Sequence, residues 1–313
     1  MYTHEHLPFY SYNHYLQKLF GERVYKVSVD AGFYCPNRDG LVATGGCIFC
    51  DESGSSSLTR KSPTMTIREQ ILSNIRARSD QEATPKKFIV YFQSYTNTYG
   101  SVQLLKEKLE EAIHSDPNIV GVALSTRADS IDEAKLQLLQ HYRRTLPYIC
   151  VEYGMQSIYD QTLKRLNRGE THEHFLQACK LHQQKFPEID FCAHVLLNAP
   201  GEERFQQLAM ASYLANLGVP GVKIHLLTAL EGTLLARDYH QGRWLPLTFQ
   251  ESVALIADFL ERLHPTCVIH RIAGHGHPKQ IVAPTWIKEE RDSILHHLLL
   301  EFNRRKSCQG RRF

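Results

Sequence analysis

The chain has 313 residues, 42% hydrophobic and 22% charged, with a formal net charge of +3. That is the composition of a globular protein long enough for one α/β barrel-like domain or two smaller ones, and the charge is too small by itself to predict nucleic-acid binding. No apolar run approaches the roughly 18 residues that span a bilayer, and the start MYTHEHLPFYSYNHY is too polar for a signal peptide, so a cytoplasmic protein with no membrane contact and reduced cysteines is expected.

Short β-branched or aromatic runs alternate with longer amphipathic ones. Strands are predicted at VYKVSV from Val24, KFIVYFQ from Lys87, IVGVALS from Ile119, YICVEYG from Tyr148, IDFCAHVLL from Ile189 and GVKIHLL from Gly221, with a seventh, CVIHRIA, from Cys267. Helical periodicity covers Thr66–Arg78, Val102–His114, Asp132–His141, a pair spanning Tyr159–Phe186, Glu203–Leu217 and Phe249–Leu263. Six β-α repeats predict parallel strands with right-handed crossovers, a partial (β/α)6 TIM-like barrel. The strands are nearly continuous apolar runs, as expected when both faces are covered. A C-terminal strand and helix extension follows. Its last helix, Lys288–Arg305, leads into a basic tail, RRKSCQGRRF, expected to fray. The SGSSS run from Ser53 reads as part of a site loop, and GHGHPK from Gly274 reads as a surface turn.

The richest stretch is C35-PNRDGLVATGG-C47-IF-C50, in the loop after the first strand. Three thiols in one loop point to a metal centre with one open position. Cys150, Cys192 and Cys267 lie in apolar strands and read as core residues. Three readings of the loop stand side by side. The thiols are clustered by chance, or they bind zinc with a distant fourth ligand such as His275 or His277, or they hold an iron–sulfur cluster. Parallel α/β folds collect ligands at the carboxyl ends of strands. The polar residues there, including Ser125, Arg127, Glu152 and Gln156, predict one shared site with the cysteines.

The loop resembles the cluster loop of the radical S-adenosylmethionine (radical SAM) enzymes. Their usual spacing is C-x3-C-x2-C, and the longer first gap is similar to that of the elongator catalytic subunit and of a bacterial group that includes YhcC and YtqA. VYKVSVDAGFYCPNRDG, YFQSYTNTYG, STRADSI, VEYGMQSIYDQTLKRLNRG, APGE, KIHLLTALEGT and VIHRIAGHG also resemble that group, from Glu22 to Gly276. The resemblance implies a radical SAM core at residues 22–263, an N-terminal extension at 1–21 and a C-terminal extension at 264–313. It implies a [4Fe–4S] cluster on Cys35, Cys47 and Cys50, whose free iron chelates S-adenosylmethionine (SAM). One electron then cleaves SAM to methionine and a 5′-deoxyadenosyl radical that abstracts hydrogen from substrate. Phe49 matches the aromatic residue near the adenine. Ser125, Gln156 and Arg168 match positions that contact the ribose or the methionine part, and an arginine fork suits a carboxylate. His194 stands where members often carry an acid, and Gln93-Ser94-Tyr95-Thr96 replaces the family's GGE-type segment. Arg127 and Glu152 are further candidates, and Lys223 and His225 alternate on the sixth strand where either could reach substrate.

No residue names the catalytic group or the substrate. A tRNA base is one expectation, drawn from the elongator resemblance and the basic Arg304-Arg305-Lys306 and Arg311-Arg312 segments. A small metabolite or peptide is the second, and a non-catalytic zinc-binding module the third. The chemistry also implies a low-potential electron donor of flavodoxin or ferredoxin type.

Overall fold

In a computed structural model, residues 7–52, 54, 65–79, 86–273, 280–290 and 293–313 are described. The GHGHPK loop and all of SGSSS except Gly54 lie outside them. The strands are β1 (Val24–Val29), β2 (Lys87–Phe92), β3 (Ile119–Thr126), β4 (Tyr148–Gln156), β5 (Asp190–Leu197), β6 (Gly221–Leu226), β7 (Ala229–Leu230), β8 (Val268–Arg271) and β9 (Ile281–Ala283). β1 to β6 and then β8 form one parallel sheet in chain order, while β7 and β9 make a small antiparallel pair. The strand predicted from Cys267 thus joins the main sheet as the neighbour of β6.

The helices are α1 (Tyr12–Phe20), α2 (Ile67–Ser79), α3 (Val102–Ile113), α4 (Glu133–Arg143), α5 (Asp160–Arg165), α6 (His172–Lys185), α7 (Arg204–Asn216), α8 (Leu234–His240), α9 (Phe249–Arg262), α10 (Ile287–Glu290) and α11 (Ile294–Arg305). Ends are set by local chemistry. Ser101 caps α3, Asp132 caps α4, and Thr248 with Glu251 forms a capping box on α9. The predicted helix over Lys288–Arg305 is two helices, α10 and α11. Among the described residues no helix is long and apolar enough to cross a membrane.

Alternation along each strand divides the side chains between two cores. Val27, Val29, Val90, Phe92, Val122, Leu124 and Val151 pack against the helices, while Ile89, Tyr91, Ala123, Cys150 and Cys192 fill the concave side. That concave side is tightly curled. β1 and β6 are five neighbours apart, which in a flat sheet is roughly 24 Å. Yet Lys26 of β1 and Lys223 of β6 both bond to Glu152 of β4. The sheet is therefore a half-barrel, as expected from six β-α repeats. The segment before β1 closes one end: Tyr12 and Leu16 of α1 are buried in the concave core, and the Ile269 amide donates to the Tyr10 carbonyl.

The C-terminal tail does not fray. Gln309 is buried, accepts from the Tyr10 amide at 2.9 Å and donates to the carbonyls of His264 and Cys267. Arg305 pairs with Asp258 at 2.7 Å and Glu301 at 2.6 Å, and Arg312 pairs with Glu261 at 2.8 Å. Part of the charge that reads as a free basic tail is thus paired with acids of α9 and α11.

Candidate functional site

The carboxyl ends of the sheet strands and their loops enclose a cavity of about 450 Å³. Of the ten predicted site residues, nine line it; Glu152 does not. Cys35, Cys47, Cys50 and Phe49 form one wall. Ser125 and Arg127 at the end of β3, Gln156 at the end of β4, and Arg168 beyond α5 form another. His194 lies on the floor with Lys26, Tyr91, Lys223, His225 and His270.

The cysteine wall is fixed by the segment after α5. Asn167 sits in the left-handed region at φ 53°, a conformation asparagine tolerates. Its Nδ2 donates to the carbonyls of Thr44 and Gly46 at 3.1 and 2.7 Å. Asn37 Nδ2 returns a bond to the Asn167 carbonyl at 2.6 Å, and the Ile48 amide donates to the Leu166 carbonyl. Arg38 Nη2 donates to the carbonyls of Cys50 and Asp51. Asn37 Nδ2 and Arg168 Nη1 each lie 3.6 Å from the Cys47 sulfur.

The two arginines are already engaged within the chain. Arg127 grips Asp129 through Nε and Nη2 and donates to the Arg168 carbonyl at 2.7 Å. Arg168 bonds Glu170 and the Gly154 carbonyl. Burial opposes the charge of Arg168, but Glu170 and the Cys47 sulfur more than offset it and raise its pKa. A Cβ on Gly154 would lie 2.8 Å from Gln156 Nε2, so a larger residue there would displace that side chain.

Beneath the floor, Glu152 is fully buried and is the hub of an ion network. Lys26 donates to Oε1. Lys223 lies 2.7 Å from Oε2 and His194 Nε2 lies 2.8 Å from it. His270 Nδ1 is 3.8 Å from Oε1. Lys223 also donates to the Tyr91 hydroxyl at 2.9 Å, and both ammoniums lie 4.5 Å from the Tyr91 ring centre. Burial alone would raise the Glu152 pKa, but Lys223 and Lys26 hold it well below the usual carboxylate range. Burial lowers His194 and His270 to about 4 each, with the lysines adding to the effect. Both rings are therefore neutral near pH 7, and since ionised Glu152 only accepts, His194 carries its proton on Nε2. Cys150, Glu152 and His270 bring donor atoms within 4.8 Å of one another, but the two lysines already neutralise Glu152, so the trio makes a poor metal site.

Lys26, Tyr91 and His270 are the residues that sequence reasoning missed. The signal for Lys26 was present: a lysine in phase with Ser28, alternating with valines in VYKVSV, faces the inner side.

Sequence comparison decides the family. The radical SAM superfamily model matches residues 35–214, and the Radical_SAM C-terminal domain model matches residues 219–299. The chain belongs to the radical SAM superfamily. YtqA of Bacillus subtilis is similar to it at 33% identity over 313 residues, covering 100% of this chain and 95% of that protein. A tRNA uridine(34) acetyltransferase of Dehalococcoides mccartyi is 26% identical over 176 residues, 55% of this chain and 36% of that one. Among solved structures, the archaeal Methanocaldococcus infernus Elp3 shares the fold with TM-score 0.65 at 18% identity, covering 91% of this chain and 64% of that chain. The protein is thus a radical SAM enzyme, and its cofactors are a [4Fe–4S] cluster and SAM.

The buried histidines make stability pH-dependent. An unfolded histidine protonates below about pH 6.5, whereas His182, His194 and His270 stay neutral in the fold down to about 4. Over that window the unfolded state binds more protons, so stability falls as pH falls, by up to about 1.4 kcal/mol per pH unit for each histidine. Urea unfolding between about pH 7 and 5 should show this loss, with a shallower slope in His182→Gln; a flat profile would contradict the neutral assignments.

Proposed function

We propose that Cys35, Cys47 and Cys50 hold the [4Fe–4S] cluster and that SAM and substrate share the cavity beside them. The observation that carries this reading is that all three thiols line one wall of a cavity whose opposite side holds polar strand ends. The donor set supports a cluster over zinc. Three thiols in one loop suit a cluster that keeps one iron open, whereas a structural zinc site takes four protein ligands.

When bound, cluster and SAM supply a 5′-deoxyadenosyl radical that takes hydrogen from substrate. Phe49 offers an apolar ring to the adenine, and Ser125 and Gln156 offer polar groups to the ribose or methionine part. Arg127 and Arg168 help to order the wall through bonds to Asp129, Glu170 and backbone carbonyls, and the buried Arg168 Nε keeps an N–H without a partner among the described residues. Glu152 acts on the ligands indirectly, through His194 and the two lysines. We assign the electron supply to a low-potential donor of flavodoxin or ferredoxin type. We assign residues 1–21 to an N-terminal extension, 22–263 to the radical SAM core and 264–313 to a C-terminal extension.

For the substrate, the geometry favours a small metabolite or a peptide group that enters a charged cavity of about 450 Å³. Pairing of Arg305 and Arg312 with acids of α9 weakens the basic feature that favoured RNA. A tRNA base is the second reading, favoured by the partial likeness to the tRNA uridine(34) acetyltransferase.

Cys47→Ala should lose the roughly four irons expected of anaerobically purified protein and should release no 5′-deoxyadenosine from SAM under reduction. A variant that still cleaves SAM would overturn the cluster assignment. Nucleoside mass spectrometry of tRNA from a strain lacking the gene should match wild type. A missing modified nucleoside would transfer the assignment to tRNA.

A further inference from the structure

We infer that the cavity floor is a subsite for a compact oxyanion of the substrate, a carboxylate or a phosphate, gripped by Lys26, Lys223 and His225. This rests on the reading that substrate enters the cavity beside the cysteine wall.

Charge is the first argument. Lys26 and Lys223 bring two positive charges to the single negative charge of Glu152. His194 and His270 add none while neutral. The floor therefore holds one surplus positive charge inside the barrel, where an unbalanced ion is costly and an anion from outside relieves it. Among the described residues lining the cavity, Asp51 on the cysteine wall is the sole acid, while Arg271 adds a further cation at the floor's edge.

Free valence is the second argument. Lys26, on the edge strand β1, gives one of its three N–H bonds to Glu152, and its side chain stays 22% exposed. Lys26 also lines the cavity. His225 also lines the cavity, and its Nε2 is shut off from bulk water with no hydrogen-bond partner among the described residues. With its proton on Nε2, His225 adds a third N–H donor to the two ammoniums that line the same cavity.

Position is the third argument. Lys26 stands three residues before the end of β1, about 10 Å down the strand at 3.3 Å per residue, and Cys35 lies beyond that end. A molecule anchored at the cysteines reaches the floor only through a second, deeper group. Lysines are point charges that accept carboxylate or phosphate alike, so the floor selects an oxyanion and leaves its parent open.

The test is isothermal titration of cluster-reconstituted, SAM-loaded protein with orthophosphate and, separately, with succinate. At least one anion should bind. Phosphate alone assigns a phosphoryl group, and succinate alone assigns a carboxylate. Lys26→Met should weaken that binding by about tenfold or more, Lys26→Arg should keep most of it, and His225→Leu, which spares the ion network, should also weaken it. SAM affinity, measured on the same samples, should stay at the wild-type value and reports the cysteine-wall reading separately. If wild-type protein binds SAM but neither anion, or if both the lysine and histidine variants bind the anion normally, the subsite does not exist.

Discussion

The barrel closes around one buried carboxylate. Glu152 sits in the middle of the parallel sheet, and its two oxygens gather Lys26 of β1, His194 of β5, Lys223 of β6 and His270 of β8. Burying that charge is costly by itself, and the arrangement is stable only because two ammoniums and two ring nitrogens surround it. The same contacts impose shape. Strands that would be far apart in a flat sheet must curl to bring both lysines to one acid. Gly221 makes room at the seam between β6 and β8, where a Cβ would lie 2.8 Å from His270 Nε2.

A second constraint sits above the first. The eleven residues between Cys35 and Cys47 would be a costly loop to order if left free. Instead the Leu166–Gly169 turn, in which Asn167 adopts a left-handed backbone, bonds to the loop at Thr44, Gly46 and Ile48 and receives Asn37 in return. The long gap is therefore a structured element that docks on the LNRG segment. This joins two stretches of the chain that resemble the same family, and it explains why both are needed to form one wall.

Much of this was legible in the sequence. The six-fold β-α rhythm was readable because strands covered on both faces are apolar throughout, and the cysteine loop was readable because thiols at such spacing have few other uses. Lys26 and His270 were harder. Their inward direction follows from alternation, but their meeting at Glu152 depends on sheet curvature, which no local pattern records. The tail misled for a similar reason. Arg305 and Arg312 look free when read alone, and their partners Asp258 and Glu261 lie some fifty residues earlier on α9. The N-terminal segment gave no strand or repeat signal, yet Tyr12 and Leu16 plug the concave core. Tertiary partners decide such cases, and local propensity does not.

The central claim is that Glu152 holds the barrel interior together as an ionised hub. Its most direct test is urea unfolding of Glu152→Gln near pH 7. The substitution keeps the shape but removes the charge, leaving Lys26 and Lys223 facing each other without a counter-ion. The account predicts a loss of about 3–5 kcal/mol, as for other buried pairs broken on one side. A change within about 0.5 kcal/mol of wild type would contradict it.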